Sequence, residues 1–205
     1  DGAEEMSLDG WLSDYIGDNN SSNGTVTVID LSLVPAEIAH IIAATIARMT
    51  LESLQRYRRM NQGQVLPTVL VMEEAHTFVK RYKDDTEYHN SSSICCQVFE
   101  KIAREGRKFG LNICLATQRP RDITEGVLSQ LGTLIVHRLT NDRDREIVER
   151  ACGEIDKAAS DFLPSLQPGE AVLIGNDFPI PLTINIHQPS IIPNSAGADF
   201  QNKWI

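Results

Sequence analysis

The chain has 205 residues, 41% hydrophobic and 23% charged, with a formal net charge of −9. That is enough for one good core and a small appendage, in the proportions of an ordinary soluble protein. No apolar run approaches the ~20 residues that a transmembrane helix needs, and no signal peptide opens the chain, so the expectation is no membrane and a cytoplasmic location.

The first residue is Asp1 rather than Met, which reads as a piece of something longer. The acids are not spread evenly. Residues 1–47 carry eight of them (Asp1, Glu4, Glu5, Asp9, Asp14, Asp18, Asp30, Glu37) and no Lys or Arg, leaving 20 acids against 19 bases in the rest. An even −9 would argue against nucleic acid; with the charge gathered at one end, local patches decide. Residues 1–24 read as an acidic segment, flexible or facing a partner. The four cysteines (Cys95, Cys96, Cys114, Cys152) have no zinc spacing and read as reduced thiols.

In chain order, DNNSSNG at 18–24 is a polar turn or loop. TVTVIDL, Thr25 to Leu31, is short and β-branched and predicts a strand. Pro35 stands where a first helical turn begins. After it, Ile38, Ile41, Ile42, Thr45, Ile46 and Met49 keep the spacing of one buried helix face, to about Arg59. Pro67 introduces a second strand, Thr68 to Met72. Residues 80–93 are polar with balanced charge and read as a loop or insertion. A helix is expected from about Ile94 to Phe109, with Gly110 as its C-cap. Leu111 to Ala116 is a third strand, about Thr124 to Leu131 a short helix, and Thr133 to Val136 a fourth strand. Helical patterns follow over 141–152 and about 155–162. Glu170 to Ile174 and Leu182 to Ile186 are two more strands, with Asn176-Asp177 as a turn between them. Strands alternate with helices, and the second and third strands are continuous apolar runs. The fold class is therefore α/β, a mostly parallel sheet covered by helices on both faces.

Ligands of open α/β sheets bind outside the carboxyl ends of the strands. VLVMEEAH drives an apolar strand into two acids, Glu73 and Glu74, at such an end. Adjacent residues on a strand point opposite ways, so the two would have different tasks. One carboxylate suits Mg²⁺, which prefers carboxylate and water ligands; the other can orient or deprotonate water. The plainer reading is that both acids favour the N-terminus of a helix starting near Ala75. The next strand, ICLATQRP, ends on Thr117 and Gln118, whose amide can reach a γ-phosphate or its attacking water. A turn ahead of Pro120 is the plainer alternative there. Between the strands, KIAREGRK places Arg104 and Lys108 on one helix face, with Arg107 near, and Lys101, Arg119 and Arg121 enlarge the set. Three readings remain open for these cations: a solvated face, contacts to nucleic-acid phosphates, or arginine fingers, since the guanidinium fork matches phosphate.

These stretches, followed by VHRLTNDRDREIVERA and LPSLQPGEAVLIG, resemble in that order the C-terminal half of the HerA ATPases, of the HerA–FtsK group of RecA-like P-loop motor ATPases. TVTVIDLSLVPAEIAHIIAATIARM resembles the strand and helix that precede Walker B there, so the resemblance spans about residues 25–188 and leaves 189–205 as a tail. It implies a RecA-like core, a homo-hexameric ring using ATP and Mg²⁺, and DNA in the pore. It implies Glu73 as the Walker B metal-side acid and Glu74 as the catalytic base. Gln118 becomes the γ-phosphate sensor beside Thr117, and Arg107 or Arg104 the finger acting on a neighbour's ATP. His76 follows the acid pair as in the family, with no role settled. Arg138 and Asp142 fall in the HRLTNDRD motif, structural or at a subunit interface.

One departure is large. The sequence contains no G-x-x-x-x-G-K-[ST], the loop that cradles the β- and γ-phosphates. In the family that loop lies N-terminal to everything matched here, so the piece lacks the Walker A half and is expected to be inactive alone.

Two functions of different class follow from the resemblance. One is a DNA translocase or helicase working with a nuclease (NurA-like) or an antiphage-defence effector. The other is a ring scaffold that assembles and regulates a bound effector, with ATP turnover secondary. A third, an ATPase of conjugation or type IV secretion, shares the core but usually brings membrane segments. Trp204 near the end is an anchor along a neighbouring subunit or a loose terminus.

Overall fold

The computed structural model describes residues 26–80, 90–152, 157–175, 178 and 180–191. The DNNSSNG loop, Thr25, most of 80–93, the Asn176-Asp177 turn and Trp204 lie outside the described residues. The order is α1 (Ala36–Met60), β1 (Thr68–Met72), α2 (Ser91–Glu105), β2 (Leu111–Leu115), α3 (Glu125–Leu128), β3 (Thr133–Val136), α4 (Asp142–Cys152), α5 (Lys157–Phe162), β4 (Glu170–Gly175) and β5 (Leu182–Asn185). Short 3-10 turns at Ala75–Thr77, Gly106–Phe109 and Pro120–Asp122 link the strands and helices of the first part.

The chain divides into two units. One holds the residues up to Leu131 together with Glu146–Ala151; the other holds Gly132–Arg145 and the residues from Cys152 on.

In the first unit β1 and β2 pair in parallel, from Thr68 opposite Leu111 to Met72 opposite Leu115. Parallel neighbours need a crossover, and α2 supplies it. Helix α2 begins earlier than its periodicity suggests, at Ser91, because Asn90 caps it: the Asn90 side chain accepts the Ser93 amide at 2.8 Å. Gly110 ends the segment as expected, at φ 83, a backbone that favours glycine. Gly106 has a different reason. A Cβ there would lie 2.6 Å from the Leu111 carbonyl oxygen, so only glycine lets the turn fold against the start of β2.

The core of this unit is buried Ala47, Leu51 and Leu54 of α1, Met72 of β1, Cys95, Phe99 and Ile102 of α2, and Leu111 of β2, with Val79, Ile123 and Val127. Ile147 and Ala151 of α4 pack against it. Burying eleven such side chains, at about 1.5–3 kcal/mol for each large one, is what holds α1 and α2 to the sheet.

Two expectations are corrected. TVTVIDL forms no strand over residues 26–31: it has no strand partner among the described residues, and Val26 and Val28 are exposed. β-branched residues favour strands by packing on a neighbouring strand, and no described strand lies alongside this segment. Among the described residues, the two-stranded parallel sheet is covered on one face. Leu70, Met72, Leu111 and Ile113 turn inward, whereas Val69 and Val71 are 60% and 63% exposed and Cys114 is exposed.

In the second unit β4 lies between β3 and β5, antiparallel to both, with Val136 opposite Val172 and Val172 opposite Thr183. Among the described residues parallel pairing is confined to β1 and β2, and the α/β class with a parallel sheet and helices stands. Ala171, Val172, Ile174, Leu163 and Leu166 are buried. No helix among the described residues is long and apolar enough to cross a membrane.

Candidate functional site

The register of β1 and β2 makes their carboxyl ends level. The Ala116 amide donates to Met72 O and the Ala75 amide to Ala116 O, both at 2.9 Å, so the pairing continues past the strands. Everything that leaves these two ends is held side by side.

At the end of β1 the chain turns sharply. Glu74 adopts a left-handed backbone, φ 48 and ψ 45, and leads into the turn Ala75–Thr77. A non-glycine residue there is strained by about 1–2 kcal/mol. The strain is held by the turn itself: the Thr77 hydroxyl donates to Glu74 O at 2.9 Å, and buried Ala75 pins the chain to the core. Behind it, His40 of α1 hydrogen-bonds Thr77 O through Nε2 at 2.8 Å and stands edge-on to Phe78.

The two carboxylates are placed differently. Glu74 Oε1 accepts from Gln118 Nε2 at 3.1 Å. Its Oε2 lies 3.2 Å from His76 Nδ1. His76 Nδ1 is in turn 3.1 Å from the Thr117 hydroxyl oxygen, which accepts the Arg119 amide at 3.0 Å. Glu73 is exposed and makes no side-chain hydrogen bond or ion pair with another described residue. No group of three His, Cys, Asp or Glu side chains gathers here among the described residues. A lone exposed carboxylate does not make a cation cage, but it fits Mg²⁺, which takes one or two carboxylates and fills its shell with phosphate and water.

The structure therefore brings Glu74, Thr117 and Gln118 together, with Glu73 on the same edge, and adds His76. It does not bring Arg104 or Arg107 to them. Both are exposed, Arg104 on the last turn of α2 and Arg107 in the turn that follows. They stand at the opposite end of β2, whose five residues span about 16 Å. The cations expected as one cluster are divided by that strand. Lys101, Arg104, Arg107 and Lys108 remain at one end, without ion pairs to described residues, and Arg119 and Arg121 are at the other. Arg58 joins the first group: its guanidinium donates to Lys108 O and lies 5.8 Å over the Phe109 ring. The run RYRRM at the end of α1 was the signal for this in the sequence. In the second unit, Asp142 pairs with Arg145 at 2.7 Å and Arg138 is exposed.

The buried thiols take no part. Burial pushes Cys95 and Cys96 up to about 12, with Glu100 adding to the effect on Cys96. They and Cys114 are free.

No family model matches the chain. Among curated proteins it is similar to the DNA double-strand break repair helicase HerA of Saccharolobus solfataricus, 28% identical over 164 residues, 80% of this chain and 31% of that protein. It is likewise similar to the helicase of the same name from Pyrococcus furiosus, 32% identical over 131 residues, 64% of this chain and 22% of that protein. The chain thus spans about a third of the length of the curated relatives it matches, or less. Among solved structures it is similar to VirB4 of Thermoanaerobacter pseudethanolicus, with a TM-score of 0.57, 16% identity, and coverage of 80% of this chain and 41% of that one. It is also similar to the genome packaging NTPase B204 of Sulfolobus turreted icosahedral virus 2, solved with ATP-gammaS, with a TM-score of 0.51, 14% identity, and coverage of 70% and 62%. At these identities the structural likeness speaks for the fold alone, that of P-loop ATPase domains.

Proposed function

We propose that this HerA-like chain, similar in sequence to HerA helicases over most of its length, is the hydrolysing and phosphate-sensing part of an ATP-driven DNA translocase or helicase. The observation that carries the reading is the 3.1 Å contact between Gln118 and Glu74, which joins an acid on one strand end to an amide on the next. Glu74 is the general base: its carboxylate takes the proton of the water that attacks the γ-phosphate. Gln118, beside Thr117, is the sensor, because an amide can donate to a phosphate oxygen when nucleotide is present and to Glu74 when it is not. Glu73 is the residue that would hold Mg²⁺ arriving with ATP, and that ion would neutralise phosphate charge.

Arg107 or Arg104 serves a neighbouring subunit's ATP, since each lies a strand's length from its own Glu74. A finger that acts in trans requires a ring, and the reading is a cytoplasmic homo-hexamer with DNA in its pore, coupled to a NurA-like nuclease or a defence effector. The phosphate cradle must come from outside these residues, because the sequence has no G-x-x-x-x-G-K-[ST].

The test is ATP hydrolysis by the full-length protein that carries this chain, with and without double-stranded DNA. Stimulation by DNA, and its loss in Glu74→Gln with ATP binding retained, are expected. Wild-type turnover in Glu74→Gln would remove Glu74 from the chemistry. Turnover that ignores DNA and responds only to a bound effector would favour a ring scaffold instead.

A further inference from the structure

We propose that His76 is the positioning residue of this site: it sets the orientation of the Glu74 carboxylate and ties it to the neighbouring strand. The inference rests on the reading of Glu74 as the base.

The need for such a residue is visible in the geometry. Glu74 leaves the sheet through a left-handed backbone, and its side chain is 49% exposed. An exposed glutamate has three rotatable bonds and orders its carboxylate only through its partners. It has two. Gln118 is itself exposed, and as the sensor it must let go of Glu74 when it turns to a phosphate. His76 is different: its side chain is only 16% exposed, packed in the turn two residues on. A packed partner fixes an exposed one, not the reverse.

The hydrogen pattern follows from the acceptors. The hydrogen bond of His76 Nδ1 runs to the Thr117 oxygen at 3.1 Å, which also accepts the Arg119 amide. Glu74 Oε2 lies beside the same nitrogen at 3.2 Å, and because a carboxylate can only accept, a bare nitrogen there would be repelled, so we place the hydrogen on Nδ1. The imidazole is thereby the Nδ1–H form, bridging the end of β1 and the end of β2. When Gln118 changes partner, Oε2 stays anchored and Oε1 is left toward water.

His40 performs the matching service one layer behind. It donates through Nε2 to Thr77 O, and its Nδ1 is buried with no partner among the described residues, consistent with a hydrogen on Nε2 only. Two histidines in opposite tautomers then brace one strained turn.

A positioning role has a distinct kinetic mark. Misplacing a base by about 1 Å costs on the order of 100-fold in rate while leaving substrate contacts alone. In the full-length protein, His76→Ala is expected to lower kcat by about 10- to 100-fold with KM for ATP changed by less than about 2-fold. His76→Asn places an amide N–H where Nδ1–H stood and should recover most of the loss. Equal kcat in all three proteins, or an Asn variant no better than Ala at equal thermal stability, would overturn the proposal. A second readout is independent of activity. Imidazole nitrogen shifts of the unliganded protein should show His76 as Nδ1–H, reverting to the commoner Nε2–H form in Glu74→Ala. An Nε2–H imidazole in the wild type would overturn the proposal whatever the enzyme does. A protein with the Nδ1–H signature and no ATP turnover would keep the brace and discard the proposed function.

Discussion

Glu74 offers a clean measurement of what its turn costs. Its φ of 48 and ψ of 45 put the Cβ against the next carbonyl, about 1–2 kcal/mol that glycine avoids. Glu74→Ala and Glu74→Gly both delete the carboxylate, and with it the contacts to Gln118 and His76, so those losses cancel between them. The difference isolates the backbone. Glycine has more freedom to lose on folding, which offsets about 0.5–1 kcal/mol of its advantage. The Gly variant is therefore expected to be the more stable, by up to ~1.5 kcal/mol. Equilibrium urea denaturation at matched m values measures it. The same pair at Glu73, which is outside the left-handed region, should run in the opposite order. An Ala variant at position 74 more stable than the Gly variant would refute the left-handed turn, and with it the account of how Glu74 reaches Gln118.

Gly106→Ala should destabilise the protein by about 1–3 kcal/mol, because its methyl group would meet Leu111 O at 2.6 Å and Ile102 Cγ2 at 3.1 Å. An unchanged urea midpoint would mean that the turn before β2 is not packed as described. For the thiols, a pKa pushed up to about 12 leaves about one Cys95 or Cys96 in 10⁴ as thiolate at pH 8. Iodoacetamide at that pH should label exposed Cys114 first, with Cys95 and Cys96 modified only in denaturant. Mass spectrometry reads the order, and prompt labelling of the adjacent pair in the native chain would contradict their burial.

Where the sequence was informative, the cause was local. Thr68–Met72 and Thr133–Val136 have the bounds expected of them, because each is an apolar run stopped by residues that cannot continue it. Gly110 could be named as a cap because φ near +83 is a position glycine takes at no cost. Asn90 gives no comparable signal, because Ser91–Ser93 look like loop residues until a cap makes them a first turn. TVTVIDL shows the opposite failure. Its β-branched residues state a preference, and a preference becomes a strand only against a partner.

The candidate site divides the same way. That acids end one strand and an amide ends the next is written in VLVMEEAH and ICLATQRP, and it required only the rule for where α/β sheets bind ligands. Which of the acids meets the amide is not written there. It depends on the register of Met72 with Leu115, on one left-handed residue, and on a histidine that the turn folds back. The division of the cations depends on β2 carrying the chain across the sheet between Arg107 and Arg119. Periodicity and capping record how each residue meets its near neighbours, so they survive in one dimension. Register, turn sense and the end of the sheet on which a side chain emerges come from contacts between residues some forty positions apart, and only the folded chain decides those.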